Sequence, residues 1–235
     1  MNVRIEHGEV RRGATRALRA AALELPASAN VGIIGVNGAG KSTLMHGLAG
    51  SLRRRAGRLD LVGVTPDVIA YTPQQPVFPE WLRTEQVLAL YGLHCESLER
   101  MLPELLLEEL RGRSAGSLSV GQRQALSVGV SLGLAAPLTM LDEPFAAIDF
   151  RRRVGLISIL RRHAGRGLTL ISSQNGADLL ATCSWLVVLR EGEYVFSGPC
   201  EELTGSATDP ARALLSFEAN VLALLGATAA LPLDR

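Results

Sequence analysis

The residues best suited to chemistry lie between Gly35 and Ser42, which read Gly-Val-Asn-Gly-Ala-Gly-Lys-Ser. Lys41 is the only lysine in the chain, which otherwise uses arginine for its permanently charged basic residues. A lysine is a compact point charge on a thin stem, so it fits a tight loop between phosphates better than a planar guanidinium does. The spacing G-x-x-x-x-G-K-S therefore predicts a phosphate loop, Gly35 to Ser42, that binds a nucleotide.

The elements around the phosphate loop are predicted to suit this chemistry. Val31 to Ile34 reads as a short strand and Lys41 to Ala49 as a helix. Inward-facing N–H groups and the positive end of the helix would hold anionic oxygens, while Lys41 would reach the β- and γ-phosphates. The Ser42 hydroxyl would coordinate Mg²⁺. The predicted nucleotide-binding residues are Asn37, Gly38, Ala39, Gly40, Lys41, Ser42 and Thr43.

A second group of chemically competent residues is the acidic pair, Asp142 and Glu143. Leu138 to Leu141 come directly before it and predict a buried strand. Ligands of an open parallel sheet bind at the carboxyl ends of its strands, where this pair would lie. Asp142 would hold Mg²⁺, directly or through water, and Glu143 would orient or deprotonate an attacking water.

The segment Leu118 to Gln122 predicts a second anion-binding helix end. Ser119 is a good N-cap residue ahead of a helical run, and a capped helix start presents free N–H groups. One chain cannot easily place two such helix ends on opposite sides of a single nucleotide. The pattern therefore predicts a partner chain.

Composition and charge limit the class of protein. A chain of 235 residues with 47% hydrophobic residues and a formal net charge of +1 is typical of a soluble α/β protein. This near-equal number of basic and acidic residues does not predict a basic surface that would bind nucleic acid. Cys95, Cys183 and Cys200 are odd in number and unclustered, which favours a reducing cytosol. The first 25 residues contain several arginines and no long apolar run, so they do not read as a signal peptide.

One uncharged run, Ala125 to Leu141, is close to the minimum length of a membrane span. Pro137 interrupts this run and the acidic pair follows it, so we predict a buried helix, a turn and a buried strand.

The order of the remaining segments predicts a layered α/β fold. After Asp149 helical and strand patterns alternate as far as Leu189, which indicates a largely parallel sheet with helices on both faces. The leucine-rich stretch Glu80 to Leu118 predicts an inserted helical lobe. Pro210 to Leu225 predicts an apolar helix that packs against the body.

The order and spacing of these motifs resemble the nucleotide-binding subunits of ABC transporters. The phosphate loop is similar to the Walker A motif, and Thr139 to Glu143 are similar to Walker B. Leu118 to Gln122 resemble the signature, Ala146 to Asp149 resemble the D-loop, and Gln74 matches the Q-loop glutamine. The resemblance extends from about residue 3 to residue 205.

The resemblance implies an α/β fold with a RecA-like P-loop NTPase core, a small antiparallel β lobe and an inserted α-helical lobe. One domain would span residues 1–235, with the helical lobe at about 79–136 and a C-terminal helical tail at about 207–235. ATP and Mg²⁺ would bind in a head-to-tail dimer with a second ABC ATPase subunit, identical or different. Each ATP would contact the phosphate loop of one subunit and the signature of the other.

The resemblance also assigns roles to single residues. Glu143, Gln174 and Gln74 would be catalytic, Ser42, Gln74 and Asp142 would bind the metal, and Asp149 would act in the D-loop. The signature residues that would contact the partner subunit's ATP are Ser119, Val120, Gly121 and Gln122.

A transmembrane permease subunit is the implied partner for transport. It would contact a surface near Gln74 and the helical lobe, which places the chain on the inner, cytoplasmic face of the cell membrane. The short distance from Gln74 to Ser119 resembles compact exporter ATPases.

Four features depart from the family pattern. Gln174 stands where the family has a switch histidine, and losing one preorganised donor typically costs about 10²–10³ in rate. Val120 replaces a signature glycine and adds bulk near a phosphate. No aromatic residue precedes Tyr71 to stack on adenine, so Arg11 or Arg12 would stack instead or form an exposed arginine pair. Ser28 to Asn30 replace a Gly-Glu turn.

Three functions are consistent with these features. The first is an energy-coupling ATPase of a membrane exporter that turns over slowly because of Gln174. The second is an ABC-type module that closes on ATP with little or no hydrolysis. The third is a soluble ABC-type ATPase outside transport, although the coiled-coil insertions, tandem cassettes and basic arms typical of that class are missing from the sequence.

Overall fold

The computed structural model describes residues 2–12, 15–51, 59–62, 69–205 and 209–226. The chain forms two compact units. The first unit comprises the described residues of Met1–Ala27, Val31–Thr65 and Ser173–Arg235, and the second comprises those of Ser28–Asn30 and Pro66–Ser172.

The first unit contains a small antiparallel β lobe, as predicted. Its central strand pairs with one strand on each side, and a separate two-stranded hairpin accompanies it. Alternate side chains of the central strand are buried, so the sheet presents one apolar face. The strands are β1 (Asn2–His7), β2 (Val10–Arg12), β3 (Thr15–Leu18), β4 (Ala21–Pro26) and β6 (Leu59–Val62), in the order β4–β1–β6 with β2 paired to β3.

The first unit also contains the strand and helix that flank the phosphate loop. Strand β5 (Ala29–Ile34), whose residues from Val31 onward belong to this unit, is entirely buried and runs parallel to β10 (Trp185–Arg190), which pairs antiparallel with β11 (Glu193–Pro199). Helix α1 (Lys41–Leu48) follows the loop. The strand–loop–helix prediction is therefore confirmed.

The C-terminal helix packs against its own unit. Helix α8 (Pro210–Leu224) contacts α6 (Gly176–Thr182) and α7 (Glu201–Thr204) and buries Phe217 and Val221. The predicted packing of this helix is confirmed, while residues 207–208 and 227–235 of the predicted tail lie outside the described residues.

The second unit is built on three parallel strands. Strands β7 (Ile69–Thr72), β8 (Leu138–Asp142) and β9 (Leu168–Ser172) lie in that order, and β8 and β9 are buried throughout. Burial on both faces explains their continuous apolar character. Asp142 pairs in register with Ser172, so both residues lie at the same carboxyl edge. The long helices of this unit are α4 (Val120–Gly133) and α5 (Phe150–His163).

The inserted helical lobe is more broken than its leucine content predicts. Pro103 lacks a backbone N–H, and helix α3 (Cys95–Met101) ends before it. Short turns replace a continuous helix there, while their leucines remain buried. Before α4 the lobe contains α2 (Thr84–Ala89), α3 (Cys95–Met101) and the 3₁₀ turns Pro103–Leu105, Leu107–Leu110 and Ala115–Ser117.

The uncharged run from Ala125 to Leu141 forms the last part of α4, a turn and strand β8, as predicted. Across the described parts of the chain, every helix is too short or too polar to span a bilayer.

Candidate functional site

The phosphate loop is already formed at the carboxyl end of β5. Lys41 is buried, and its Nζ donates to the carbonyl oxygens of Gly35 at 2.7 Å and Val36 at 3.4 Å. Helix α1 begins after Gly40 without a side-chain cap, so the first N–H groups of the helix face the loop without a competing side-chain acceptor. This arrangement suits a phosphate, whose oxygens satisfy those groups.

Two glycines of the loop have no room for a side chain. A Cβ at Gly40 would lie 2.5 Å from the carbonyl oxygen of Ala17, and its φ of 112° disfavours any other residue. A Cβ at Gly35 would lie 2.3 Å from the carbonyl oxygen of Leu189. The backbones of strands β3 and β10 therefore pack directly against the phosphate loop.

The arginines predicted to replace the adenine-stacking aromatic lie on the β2–β3 hairpin. Arg11 pairs across the hairpin with Arg16, and both guanidinium groups contact Glu9 at 2.8 Å. The hydrogen bond from Arg11 is the main cause of a lowered pKa at Glu9. Arg11 is thus half-exposed and ion-paired, on the hairpin whose Ala17 contacts the phosphate loop. A stacking role stays a prediction.

Gln174 projects from a turn whose backbone is fixed by its neighbours. Ser173 Oγ accepts a hydrogen bond from Asn175 N at 3.0 Å, and Asn175 Oδ1 caps α6 by accepting from Ala177 N at 2.9 Å. The Gln174 side chain itself is exposed and borders a cavity of about 310 Å³. The remaining lining comes from the start of the phosphate loop, the first turn of α6 and helix α8.

The acidic pair lies at the end of β8 in the second unit, as predicted. Asp142 is almost completely buried, and its Oδ1 accepts a hydrogen bond from Ser172 Oγ at 2.5 Å. Ser172 Oγ also accepts from Glu143 N at 2.8 Å. Glu143 has a φ of 51°, a left-handed conformation that is uncommon outside glycine and typical of functional positions. Its buried Oε1 atom has no hydrogen-bond partner within the described parts of the chain.

Tyr71 adds a second hydroxyl beside the acidic pair. Burial is the main cause of a raised pKa at Tyr71, and the charge of the nearby Asp142 raises that pKa further. Asp142 therefore accepts a hydrogen bond from Ser172 on β9 and lies close to the Tyr71 hydroxyl of β7. Gln74 follows Tyr71 on the bend after β7 and is exposed.

The predicted signature forms the start of α4. Ser119 is the N-cap, and its Oγ accepts from Gln122 N at 3.2 Å while Gln122 Oε1 accepts from Ser119 N at 3.0 Å. This reciprocal cap confirms the helix start that the sequence predicts. Val120 is 55% exposed, so the bulk that replaces the glycine faces outward from the helix end.

The predicted D-loop leads into α5. Asp149 caps this helix by accepting from Arg152 N at 3.0 Å, and Ala147 has a φ of 59°. A Cβ at Gly121 would lie 2.3 Å from the carbonyl oxygen of Ala147. The signature and the D-loop, predicted from separate motifs, are thus in direct backbone contact within the second unit.

Sequence reasoning missed Ser172, Tyr71 as a partner of Asp142, and Arg152. The first two lie at carboxyl ends of strands that flank β8, so the strand pattern itself carries a signal for them. Arg152 stands in a run of three arginines, Arg151 to Arg153, and only the structure distinguishes the buried member from its neighbours.

The donor types of the predicted metal ligands fit Mg²⁺. A serine hydroxyl at 42, a carboxylate at 142 and an amide at 74 are oxygen ligands, and Mg²⁺ usually takes one or two carboxylates together with phosphate oxygens and water. Ser42 belongs to the first unit, whereas Asp142 and Gln74 belong to the second. In the second unit, the Ser172 hydroxyl orients the Asp142 carboxylate, as outer-shell hydrogen bonds do for metal-binding carboxylates.

Comparisons with solved structures identify the fold. The structure of an ATP-binding subunit of an ABC transporter aligns with a TM-score of 0.72 and 25% sequence identity over 86% of this chain and 92% of that chain. A bacterial Atm1-family ABC exporter with ATP bound aligns with a TM-score of 0.73 and 19% identity over 93% of this chain and 42% of that chain.

Sequence comparisons identify the family. The phosphonates import ATP-binding protein PhnC of Pseudomonas putida is 30% identical over 230 residues, which cover 85% of this chain and 86% of that protein. The molybdenum import ATP-binding protein ModC of Salmonella typhi is 32% identical over 204 residues, which cover 78% of this chain and 57% of that protein. A family model described as ABC transporter matches residues 18–146. With the predicted motifs in place on this fold, the chain belongs to the ABC transporter family as an ATP-binding subunit.

Proposed function

We propose that this chain hydrolyses ATP with Mg²⁺ and couples that reaction to transport through a separate membrane subunit. The observation that carries the proposal is the state of Glu143. Its Oε1 atom is buried without a hydrogen-bond partner among the described residues, beside an Asp142 whose own oxygen is held by Ser172. An unsatisfied buried polar atom is costly, so this carboxylate is suited to accept a hydrogen bond from a water that enters with the substrate.

The residues of each unit have distinct roles in this proposal. In the first unit, the N–H groups at the start of α1 bind phosphate oxygens together with Lys41, and Ser42 binds the metal. In the second unit, Asp142 and Gln74 bind the metal while Glu143 orients the water and accepts its proton. Bound Mg²⁺ supplies charge neutralisation at the phosphate oxygens. The neutral side chain of Gln174 supports slow turnover, because it donates a hydrogen bond without the charge of an imidazolium.

Steady-state phosphate release from Mg-ATP tests the hydrolytic part of the proposal. We expect the Glu143→Gln variant to bind a fluorescent ATP analogue as the parent chain does. Its rate of phosphate release should be lower by about 10²-fold or more. Equal release by the two proteins would overturn hydrolysis at this site. Loss of binding in the variant would show that the substitution disturbs more than the proton transfer.

A second ABC ATPase subunit completes the proposed site. Val120 at the start of α4 is exposed, which supports an anion contact made at this helix end to another subunit. Sedimentation of Glu143→Gln with and without Mg-ATP tests this part, because blocked hydrolysis would preserve an ATP-dependent dimer. A monomer under both conditions would oppose a homodimer and favour a different ATPase partner.

The membrane subunit is proposed to contact the second unit near Gln74. Val77 is 88% exposed and Trp81 is 79% exposed, and two exposed apolar side chains four residues apart suit a contact with another protein. Both follow Gln74 closely in sequence, which supports docking of a permease on this surface at the cytoplasmic face of the membrane.

The direction of transport has support on both sides. The short spacing from Gln74 to Ser119 supports export, whereas PhnC and ModC are named as import subunits. Inside-out vesicles that contain the chain with its membrane subunit separate the two directions. ATP-dependent accumulation of cargo in such vesicles indicates export, and ATP-dependent loss of preloaded cargo indicates import.

An ATP sensor with little hydrolysis is the second candidate, and Gln174 is the observation that favours it. The exposed Gln174 side chain lacks the titratable imidazole of the family pattern. ATP-dependent association of the parent chain, with phosphate release no faster than that of Glu143→Gln, would support the sensor and exclude turnover.

A further inference from the structure

Arg152 is a buried cation that none of the predicted motifs includes. Its side chain is only 7% exposed, and it lies on the first turn of α5. Nη1 donates to Asp149 Oδ2 at 2.6 Å and Nη2 donates to Glu109 Oε2 at 2.5 Å. Nε donates to the carbonyl oxygen of Leu105 at 3.2 Å. The guanidinium therefore joins the D-loop carboxylate to two points on the helical lobe, all within the second unit.

The carboxylates around Arg152 keep it charged despite its burial. Desolvation acts against the cation, but hydrogen bonds to Asp149 and then Glu109 outweigh it and raise the pKa of Arg152. Hydrogen bonds from Arg152, first its backbone N–H and then its side chain, lower the pKa of Asp149. Both groups are therefore ionised together near neutral pH.

The D-loop is held from its other side by the signature helix. The close approach of Gly121 to the Ala147 carbonyl leaves no space for a side chain, and Ala147 itself is left-handed. Ala147 and Asp149 are thus fixed at opposite ends of a short segment, one by the start of α4 and the other by Arg152. Glu143 lies only a few residues before this segment.

We propose that Arg152 is a positioning residue that couples the D-loop to the helical lobe through Asp149 and Glu109. A movement of the lobe is transmitted by this cation to the segment that follows Glu143. The proposal rests on the proposed ATPase function only for its activity measurement, because the coupling itself is measurable in the resting chain.

Arg162 provides a matched control on the same helix. It also joins α5 to the helical lobe, by an ion pair with Glu104, but it lies at the far end of α5 from the D-loop. If Arg152 only fastens α5 to the lobe, Arg162→Gln and Arg152→Gln will have similar effects. If Arg152 positions the D-loop, the two variants will differ at residues 143–150.

Hydrogen exchange by mass spectrometry of the full chain is the decisive measurement. We expect Arg152→Gln to speed exchange in peptides that cover 143–150 and 104–110 by about tenfold or more, because charge-assisted hydrogen bonds that hold these segments are lost. Arg162→Gln should leave exchange at 143–150 as in the parent chain. Parent-like exchange at 143–150 in Arg152→Gln would overturn the proposal, as would equal acceleration there by Arg162→Gln.

Partner substitutions show whether the charge pair is responsible. Asp149→Asn keeps an acceptor for the helix cap but removes the charge that binds Arg152, so it should reproduce the exchange pattern of Arg152→Gln at 143–150. Arg152→Lys keeps the charge without the planar fork and should restore protection only in part. Full protection in Asp149→Asn would contradict a role for the charge pair.

Phosphate release separates this proposal from the proposed function. We expect Arg152→Gln to lower kcat by about tenfold with the affinity for ATP unchanged, since a positioning defect acts after binding. If the parent chain releases no more phosphate than Glu143→Gln, the hydrolytic function fails while the exchange result still decides the role of Arg152. If exchange changes but kcat of an active parent does not, the coupling to catalysis is overturned.

Discussion

The hydroxyl of Ser172 joins the side chain of Asp142 to the backbone of Glu143. It donates to Asp142 Oδ1 at 2.5 Å and accepts from Glu143 N at 2.8 Å. One fully buried hydroxyl on β9 therefore fixes both acidic residues at the end of β8. Because Glu143 is also in a left-handed conformation, this contact holds a backbone geometry that an unsupported residue would leave.

Ser172→Ala tests this relationship. Removal of the hydroxyl leaves Asp142 Oδ1 and Glu143 N without their shared partner, so the free energy of unfolding should fall by about 1–3 kcal/mol. The dependence of phosphate release on Mg²⁺ should shift to higher concentration, because Asp142 loses one of the groups that orient it. Urea unfolding and an Mg²⁺ titration measure the two effects. Thr169→Val removes a hydroxyl from the same strand away from the acidic pair, and an Mg²⁺ shift of equal size in that variant would contradict the specific role of Ser172.

Gln174→His tests the cause of the predicted slow turnover. The neighbouring backbone is fixed by Ser173 and Asn175, and the Gln174 side chain is exposed, so the fold should accept the change. We expect phosphate release to rise by up to about tenfold, a fraction of the 10²–10³ that a missing preorganised donor costs. The gain should be larger below about pH 6.5, where a free imidazole is charged. A rate equal to that of the parent at every pH would show that the glutamine does not limit turnover.

Trp81→Asp tests the proposed contact with a membrane subunit. An indole that is 79% exposed contributes little to the stability of the isolated chain, so the variant should fold and bind ATP normally. A carboxylate in an apolar interface should weaken association with the membrane subunit by about tenfold or more. Co-purification from detergent measures that loss. Leu215→Asp changes an exposed apolar residue on α8 and should co-purify like the parent; equal losses in both variants would contradict the proposed surface.

Gly121→Ala tests the contact between the signature and the D-loop. The new Cβ would lie 2.3 Å from the carbonyl oxygen of Ala147, so one backbone segment must shift. Overpacking of this kind should lower the free energy of unfolding by about 1–3 kcal/mol. Val120→Ala changes the exposed neighbour and should stay within about 0.5 kcal/mol of the parent. Thermal unfolding compares the two variants. Similar stabilities would show that the D-loop backbone shifts without lowering the free energy of unfolding.

Local patterns predict most of the scaffold because each one reports a local physical requirement. The phosphate loop needs glycines where backbones approach closely, and Gly40 meets that requirement against Ala17. The start of α4 needs an N-cap residue with a side-chain acceptor and a glutamine three residues later, and Ser119 and Gln122 meet that requirement. The buried strand β8 needs a continuous apolar run, and Leu138 to Leu141 provide one.

Contacts between distant segments are the part that local patterns do not carry. Ser172 and Asp142 meet because β8 and β9 are in register, and no spacing in the sequence states that register. Arg152 differs from Arg151 and Arg153 only in the helix face that it occupies against the lobe. The broken helices around Pro103 likewise reflect a proline that outweighs the helical tendency of the leucines beside it.

The buried thiols of Cys183 and Cys200 predict a loss of stability at alkaline pH. Burial raises the pKa of Cys183 to about 12 and that of Cys200 to about 11, whereas an unfolded thiol has a pKa of 9.0. The stabilisation is therefore complete below about pH 9 and falls as the pH rises from the unfolded pKa to the folded values; at pH 10 the loss is about 1–2 kcal/mol per thiol. Urea unfolding at pH 8 and pH 10 should show a smaller pH-dependent loss in a Cys183→Ala, Cys200→Ala double variant than in the parent. An equal loss in both proteins would assign the alkaline sensitivity to groups other than these thiols.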